Sequence, residues 1–110
     1  MPIFDTRWKE LGLTDGILQE LEEFIMKNPD AGNIIQGTGG AIKLRWSLSN
    51  KGKRGGIRVI YVDLIKFEKV YFLTCYPKSK KDTLSDNEKS ALKEIIKQII
   101  KDERGFYNGE

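Results

Sequence analysis

The segment Ser85-Asp86-Asn87-Glu88 has the Ser-x-x-Glu spacing of a capping box, in which the serine hydroxyl and the glutamate carboxylate each satisfy a backbone donor left open at a helix start. Ala91, Leu92, Ile95, Ile96, Ile99 and Ile100 then fall on one helical face, with Lys89, Lys93, Lys97 and Lys101 on another. A helix of this kind must bury its isoleucines, most economically against a β-sheet. Gly105 is expected to end it.

The sheet is legible upstream. Residues 42–48 alternate apolar Ile42, Leu44, Trp46 and Leu48 with polar Lys43, Arg45 and Ser47, which predicts a half-buried strand sending both bases to one face. Residues 57–63 and 70–76 are rich in β-branched and aromatic side chains and read as two more strands. A loop at 49–56 separates the first two, with Gly52, Gly55, Gly56 and three bases. Earlier in the chain, Ile17, Leu18, Leu21, Phe24 and Ile25 share one face of a helix expected over 16–27. Thr14 or Asp15 can cap it, and Asn28-Pro29 should stop it. Residues 2–8 read weakly as a short strand. The run Gly37-Thr38-Gly39-Gly40 precedes its strand rather than following one, so it predicts a tight turn with positive φ and not a phosphate loop. A length of 110 residues suits one domain. No apolar stretch approaches the roughly 20 residues of a bilayer span, and the first residues lack signal-peptide features, so a cytoplasmic location with no membrane partner is expected.

The net charge of +3 conceals an asymmetry. Residues 1–42 carry three bases against seven acids, a net of −4; residues 43–81 carry eleven against two, +9; residues 82–110 carry five against seven, −2. Lys43, Arg45, Lys51, Lys53, Arg54 and Arg58 occur with no acid between positions 43 and 62. Such a stripe is the electrostatic footprint of a polyanion binder. Tyr76 and the bases of 78–81 extend it, and Trp46, Tyr61 and Tyr71 interleave with it; packing in the core is the stronger expectation for those three aromatics.

The residue inventory restricts the chemistry. With no histidine and one cysteine, Ser-His and Cys-His dyads, Cys/His zinc sites and internal disulfides are excluded. Cys75, at the end of an apolar strand, reads as a small buried hydrophobe. The acids at 20–23 and in the last helix are accounted for by helix faces and caps, so no metal or cofactor is expected. RNA, however, carries its own nucleophile, the 2′-OH. An enzyme need only deprotonate it, neutralise the phosphorane-like transition state and protonate the leaving 5′-oxygen. A lysine whose pKa is lowered by nearby cations can be the base, arginine the stabiliser, and tyrosine or a second lysine the acid.

Three runs, taken in order, carry a family likeness. Gly37-Thr38-Gly39-Gly40-Ala41-Ile42-Lys43-Leu44-Arg45-Trp46, then Lys51-Gly52-Lys53-Arg54-Gly55-Gly56-Ile57-Arg58-Val59-Ile60-Tyr61, then Phe72-Leu73-Thr74-Cys75-Tyr76-Pro77-Lys78-Ser79-Lys80-Lys81-Asp82 resemble the RelE-like toxins of type II toxin–antitoxin systems, most closely the HigB-like branch. The resemblance spans about residues 14–101. It implies a compact α+β, microbial ribonuclease-like fold: an antiparallel sheet of three or four strands packed by an N-terminal helical region and a C-terminal helix. It further implies a metal-independent endoribonuclease that cleaves mRNA in the ribosomal A site, inhibits translation, and is silenced by a cognate antitoxin protein.

By the same resemblance, Arg58 matches the phosphate-stabilising arginine and Lys78 the basic residue after the last strand. Lys51, Lys53 and Lys78 are the candidate bases. Lys43, Arg45, Arg54, Lys80 and Lys81 are assigned to RNA binding. Two departures stand out. Ile42 replaces a base that relatives often carry, and the start of the last helix lacks the tyrosine that some members use there. The general acid is left among Tyr76, Lys80 and Lys81. The alternatives are a gyrase inhibitor of the ParE branch, which shares the fold, and a non-catalytic RNA- or ribosome-binding module.

Overall fold

A computed structural model describes residues 2–47, 56–78 and 83–107. In chain order they form helices α1 (Pro2–Glu10) and α2 (Asp15–Lys27), strands β1 (Asn33–Ile34), β2 (Ile42–Trp46) and β3 (Ile57–Leu64), a 3₁₀ turn at Ile65–Phe67, strand β4 (Lys69–Pro77) and helix α3 (Asp86–Tyr107). The four strands make an antiparallel meander in the order β1-β2-β3-β4.

The central strand β3 is covered on both faces. Ile57, Val59 and Tyr61 join Phe4 and Trp8 of α1, Leu21 and Ile25 of α2, and Cys75 of β4 in one apolar cluster. Ile60 and Val62 join Leu92, Ile96 and Ile99 of α3 in a second. The sheet therefore lies between the N-terminal helices and the C-terminal helix. This is the α+β architecture expected from the chain.

The segment read as a strand at 2–8 is instead helix α1. Pro2 sits in its first turn, where a missing N–H costs nothing. Phe4 and Trp8, one turn apart, are both buried and stacked at 5.4 Å, and Phe4 stacks again on Phe72 of β4 at 4.9 Å. That tertiary burial, not a local pattern, selects the helix. For α2 the expected boundaries hold to one residue: the Thr14 hydroxyl accepts from the Ile17 N–H at 3.2 Å, and the Asn28 side-chain amide donates to the Phe24 carbonyl at 3.0 Å.

The turn before β2 has the backbone its glycines require, with φ of 85° at Gly37, 77° at Gly39 and 127° at Gly40. Its side-chain anchor is Thr38, fully buried, whose hydroxyl donates to the Ile35 carbonyl at 2.6 Å and accepts from the Ala41 N–H at 3.0 Å. Thr38→Val keeps the shape but strands both backbone groups, so it is expected to cost about 1–3 kcal/mol in a urea titration. An unchanged midpoint would show that the turn needs only its glycines.

At the far end, the capping box forms as expected, with Glu88 N–H on the Ser85 hydroxyl at 3.1 Å and Ser85 N–H on the Glu88 carboxylate at 2.9 Å. Gly105 does not end the helix, which runs on to Tyr107. A glycine within a helix costs only about 1 kcal/mol, and the helix is fastened just before it. Glu103, 6% exposed, accepts from Lys69 Nζ at 3.0 Å to each oxygen and from the Tyr71 hydroxyl, tying α3 to β4.

These bonds hold the Glu103 carboxyl below the usual carboxylate range, the Tyr71 bond acting most strongly and Lys69 next, against an opposing contribution from burial. A group with a depressed folded pKa stabilises the fold above its unfolded pKa, about 4.3, and that stability is lost as pH falls through the folded value. Glu103→Gln is therefore expected to unfold more readily at neutral pH and to show a shallower acid-side loss than the parent. Parallel melting-temperature profiles between pH 3 and 7 would test this; curves of identical shape would remove Glu103 from the acid transition.

Candidate nucleic-acid interface

Strand register brings the sequence-singled bases together. Arg45 of β2 lies directly opposite Arg58 of β3, and Arg58 lies opposite Tyr76 of β4. Lys43, opposite Ile60, is two residues from Arg45 on the same strand and therefore on the same face. Arg58 shares the α3 side with Ile60 and Val62, as its parity requires.

Tyr76 reaches this face through a β-bulge. Tyr71 packs with the α3 cluster and Phe72 with the opposite one, so strict alternation would put Tyr76 on the α1–α2 side. The register shift at Ile60/Tyr61 inserts one residue in β4, leaving Cys75 on the α1–α2 side and Tyr76 beside Arg58.

The row is graded in depth. Arg45 is exposed and Lys43 half-buried, whereas Arg58 is 2% exposed and Tyr76 3%. The row thus has two outer cations and a recessed guanidinium. Like charges directly opposite on neighbouring strands are unfavourable. Arg45 and Arg58 thus place two guanidinium side chains side by side on one face of the sheet. Lys78, exposed just beyond β4, donates its backbone N–H to the Gly56 carbonyl at 3.4 Å and so stands at the same end of the sheet. Lys51, Lys53, Arg54, Lys80 and Lys81 lie outside the described residues.

The interleaved aromatics are structural. Tyr61 is buried, and its hydroxyl pKa is raised by burial and, secondarily, by Asp63. Trp46 packs on Phe24 at 5.3 Å, on the α2 side. The Tyr71 hydroxyl is committed to Glu103, the bond that chiefly raises its pKa. Cys75 is fully buried, and burial pushes its thiol up to about 11 against a small opposing effect of Arg7. A thiol of that acidity is not a nucleophile at neutral pH.

Beside the basic row runs a groove of about 380 Å³ between the β1–β2 edge and the entry to α3, with Asn33, Thr83 and Lys89 in its lining together with Lys43 and Arg45. Sequence reasoning missed the first three, because they come from segments far apart in the chain. Lys89 is half-buried while Lys93, Lys97 and Lys101 of the same helical row are exposed, a distinction that the lysine spacing alone does not contain. Among the described residues no group of three or more His, Cys, Asp or Glu is placed to hold a metal ion, and no helix is long and apolar enough to cross a membrane.

Residues 3–105 match the model of the family described as the RelE toxin of the RelE / RelB toxin-antitoxin system. The match takes in both N-terminal helices, the whole described sheet and nearly all of α3. The chain accordingly belongs to the RelE toxin family, endoribonucleases that typically act as ribosome-dependent mRNA interferases, inhibit translation and are paired with a RelB antitoxin.

Proposed function

We propose that this chain cleaves mRNA in the ribosomal A site through the row Arg45–Arg58–Tyr76, and that it belongs to the HigB-like branch of its family. The observation that carries the site assignment is the juxtaposition of Arg45 and Arg58 across β2 and β3, with Lys43 adjacent and no acid in the sequence from 43 to 62. Lys43 and Arg45, nearer the surface, draw in the RNA backbone. The recessed Arg58 meets the reacting phosphate where water is scarce and a charge interaction is strongest.

The base is a lysine. Lys78 is the described candidate, and Lys51 and Lys53 the others. Its neutral amine takes the proton of the 2′-OH, whose oxygen attacks the adjacent phosphorus as the P–O5′ bond breaks. Tyr76, Lys80 or Lys81 returns a proton to the leaving 5′-oxygen. The products are a 2′,3′-cyclic phosphate and a 5′-hydroxyl, with no oxidant or metal in the balance. The test is cleavage of a defined mRNA with and without programmed ribosomes, followed by chemical identification of both new ends. Cyclic phosphate and 5′-hydroxyl ends that require the ribosome are expected. Intact mRNA with DNA damage in expressing cells would assign the chain to gyrase inhibition, and intact mRNA with blocked translation to a ribosome-binding module.

A further inference from the structure

The groove beside the basic row has features of a nucleotide subsite. Its lining includes three cations, Lys43, Arg45 and Lys89, and no carboxylate among the described residues. A volume of about 380 Å³ is at the small end of ligand pockets, enough for one nucleotide and too little for a paired helix. Asn33 pairs directly with Lys43, so its side chain shares the face that carries Arg45 and leads on to Arg58. Lys43 and Arg45, two positions apart on the strand, stand about 6.8 Å apart along β2, a spacing that suits successive phosphates of an extended strand.

We propose that this groove holds the nucleotide flanking the cleaved bond, with Lys89 contacting its phosphate and Asn33 reading its base. The proposal rests on the ribonuclease reading above and deepens it from substrate class to sequence preference. The division of labour follows from the side chains. Lys89 presents donors and charge but no acceptor, so it responds to phosphate and not to base identity. The Asn33 amide offers donors and an acceptor together, the pattern needed to distinguish base edges in single-stranded RNA. Lys89 is placed for its task because it alone of the lysine row 89, 93, 97 and 101 lines the groove and is half-buried.

Two measurements test the proposal. In the first, a randomised mRNA is cleaved on programmed ribosomes and every cut is sequenced. Asn33→Ala is expected to flatten the base preference at a single position next to the cut by at least about fivefold, the lower value of one base-specific contact. A base distribution identical to the parent at all positions would overturn the assignment of Asn33. In the second, a fluorescein-labelled RNA tetranucleotide is titrated against the protein at several salt concentrations. Lys89→Ala is expected to reduce the log–log salt slope by about 0.7, one single-strand phosphate contact. Lys101→Ala, a charge-matched change on the exposed part of the same row, is expected to leave the slope unaltered.

Equal slopes for Lys89→Ala and the parent, or equal losses for Lys89→Ala and Lys101→Ala, would overturn the phosphate contact, the latter because it would reflect overall charge alone. The two readings fail separately. A parent that binds the tetranucleotide through Lys89 but never cleaves mRNA defeats the nuclease reading and leaves the subsite; a parent that cleaves with Asn33 and Lys89 irrelevant defeats the subsite alone.

Discussion

Changing Arg58 to alanine is expected to lower cleavage of a defined mRNA on programmed ribosomes by about 10²–10³-fold, the usual loss when one preorganised charge-stabilising donor is removed from a transition state. Arg58 is the innermost of the cations that β2 and β3 bring together, 2% exposed and directly opposite Arg45. Arg58→Lys keeps the charge and loses the planar, two-pronged donor set, so an intermediate loss is expected. Because the side chain is buried, thermal melts accompany the assay. Cleavage lost with an intact cooperative melt assigns the defect to chemistry. Full-rate cleavage by Arg58→Ala would remove Arg58 from the proposed mechanism and leave the outer pair, Lys43 and Arg45, to be tested in its place.

The largest loss of stability is expected from Trp8→Ala, about 3–5 kcal/mol, as for other buried large-to-small aromatic changes. Trp8 is 2% exposed, stacks on Phe4, and donates its indole N–H to the Thr14 carbonyl at 3.0 Å. Through Phe4 and Phe72 the stack reaches β4, and through Thr14 it reaches the residue that caps α2. Truncation opens a cavity and releases both connections. Against a total stability of 5–15 kcal/mol typical of small domains, the loss corresponds to a fall in melting temperature of roughly 10–20 °C. Trp8→Phe retains a ring and removes the donor, and is expected to lose about 1 kcal/mol of hydrogen bonding beyond the small change in volume. A Trp8→Ala loss below 1 kcal/mol by urea denaturation would mean that α1 is not integral to the core.

Helix α3 was legible from its first turn because a capping box and a 3.6-residue apolar period are set by neighbours within a few positions. The glycine turn at 37–40 and the three long strands were legible for the same reason. Helix α1 was not. Ile3, Phe4 and Trp8 are compatible with a strand or a helix, and only the stack on Phe72, nearly 70 positions away, decides between them. Gly105 misled in the same manner: an isolated glycine near a helix end reads as a stop, but Glu103 is anchored to Lys69 and Tyr71, and the helix continues.

At the site, charge partition located the basic stretch and the alternation over 42–48 put Lys43 and Arg45 on one face. Neither showed that Arg58 and Tyr76 are recessed while Arg45 is exposed, or that a bulge brings Tyr76 beside Arg58. Asn33, Thr83 and Lys89 carried no signal at all, since each is an ordinary polar residue until β1, the approach to α3 and its first turn enclose one groove.

Alone, the sequence determined helix and strand periods, caps, turns, the missing histidine chemistry and the sign of charge in each segment, all of which are sums or short-range interactions. The tertiary structure decided register, depth and enclosure. These depend on contacts between distant segments, whose formation balances loop-closure entropy against burial across the whole chain, and no local window of residues contains that balance.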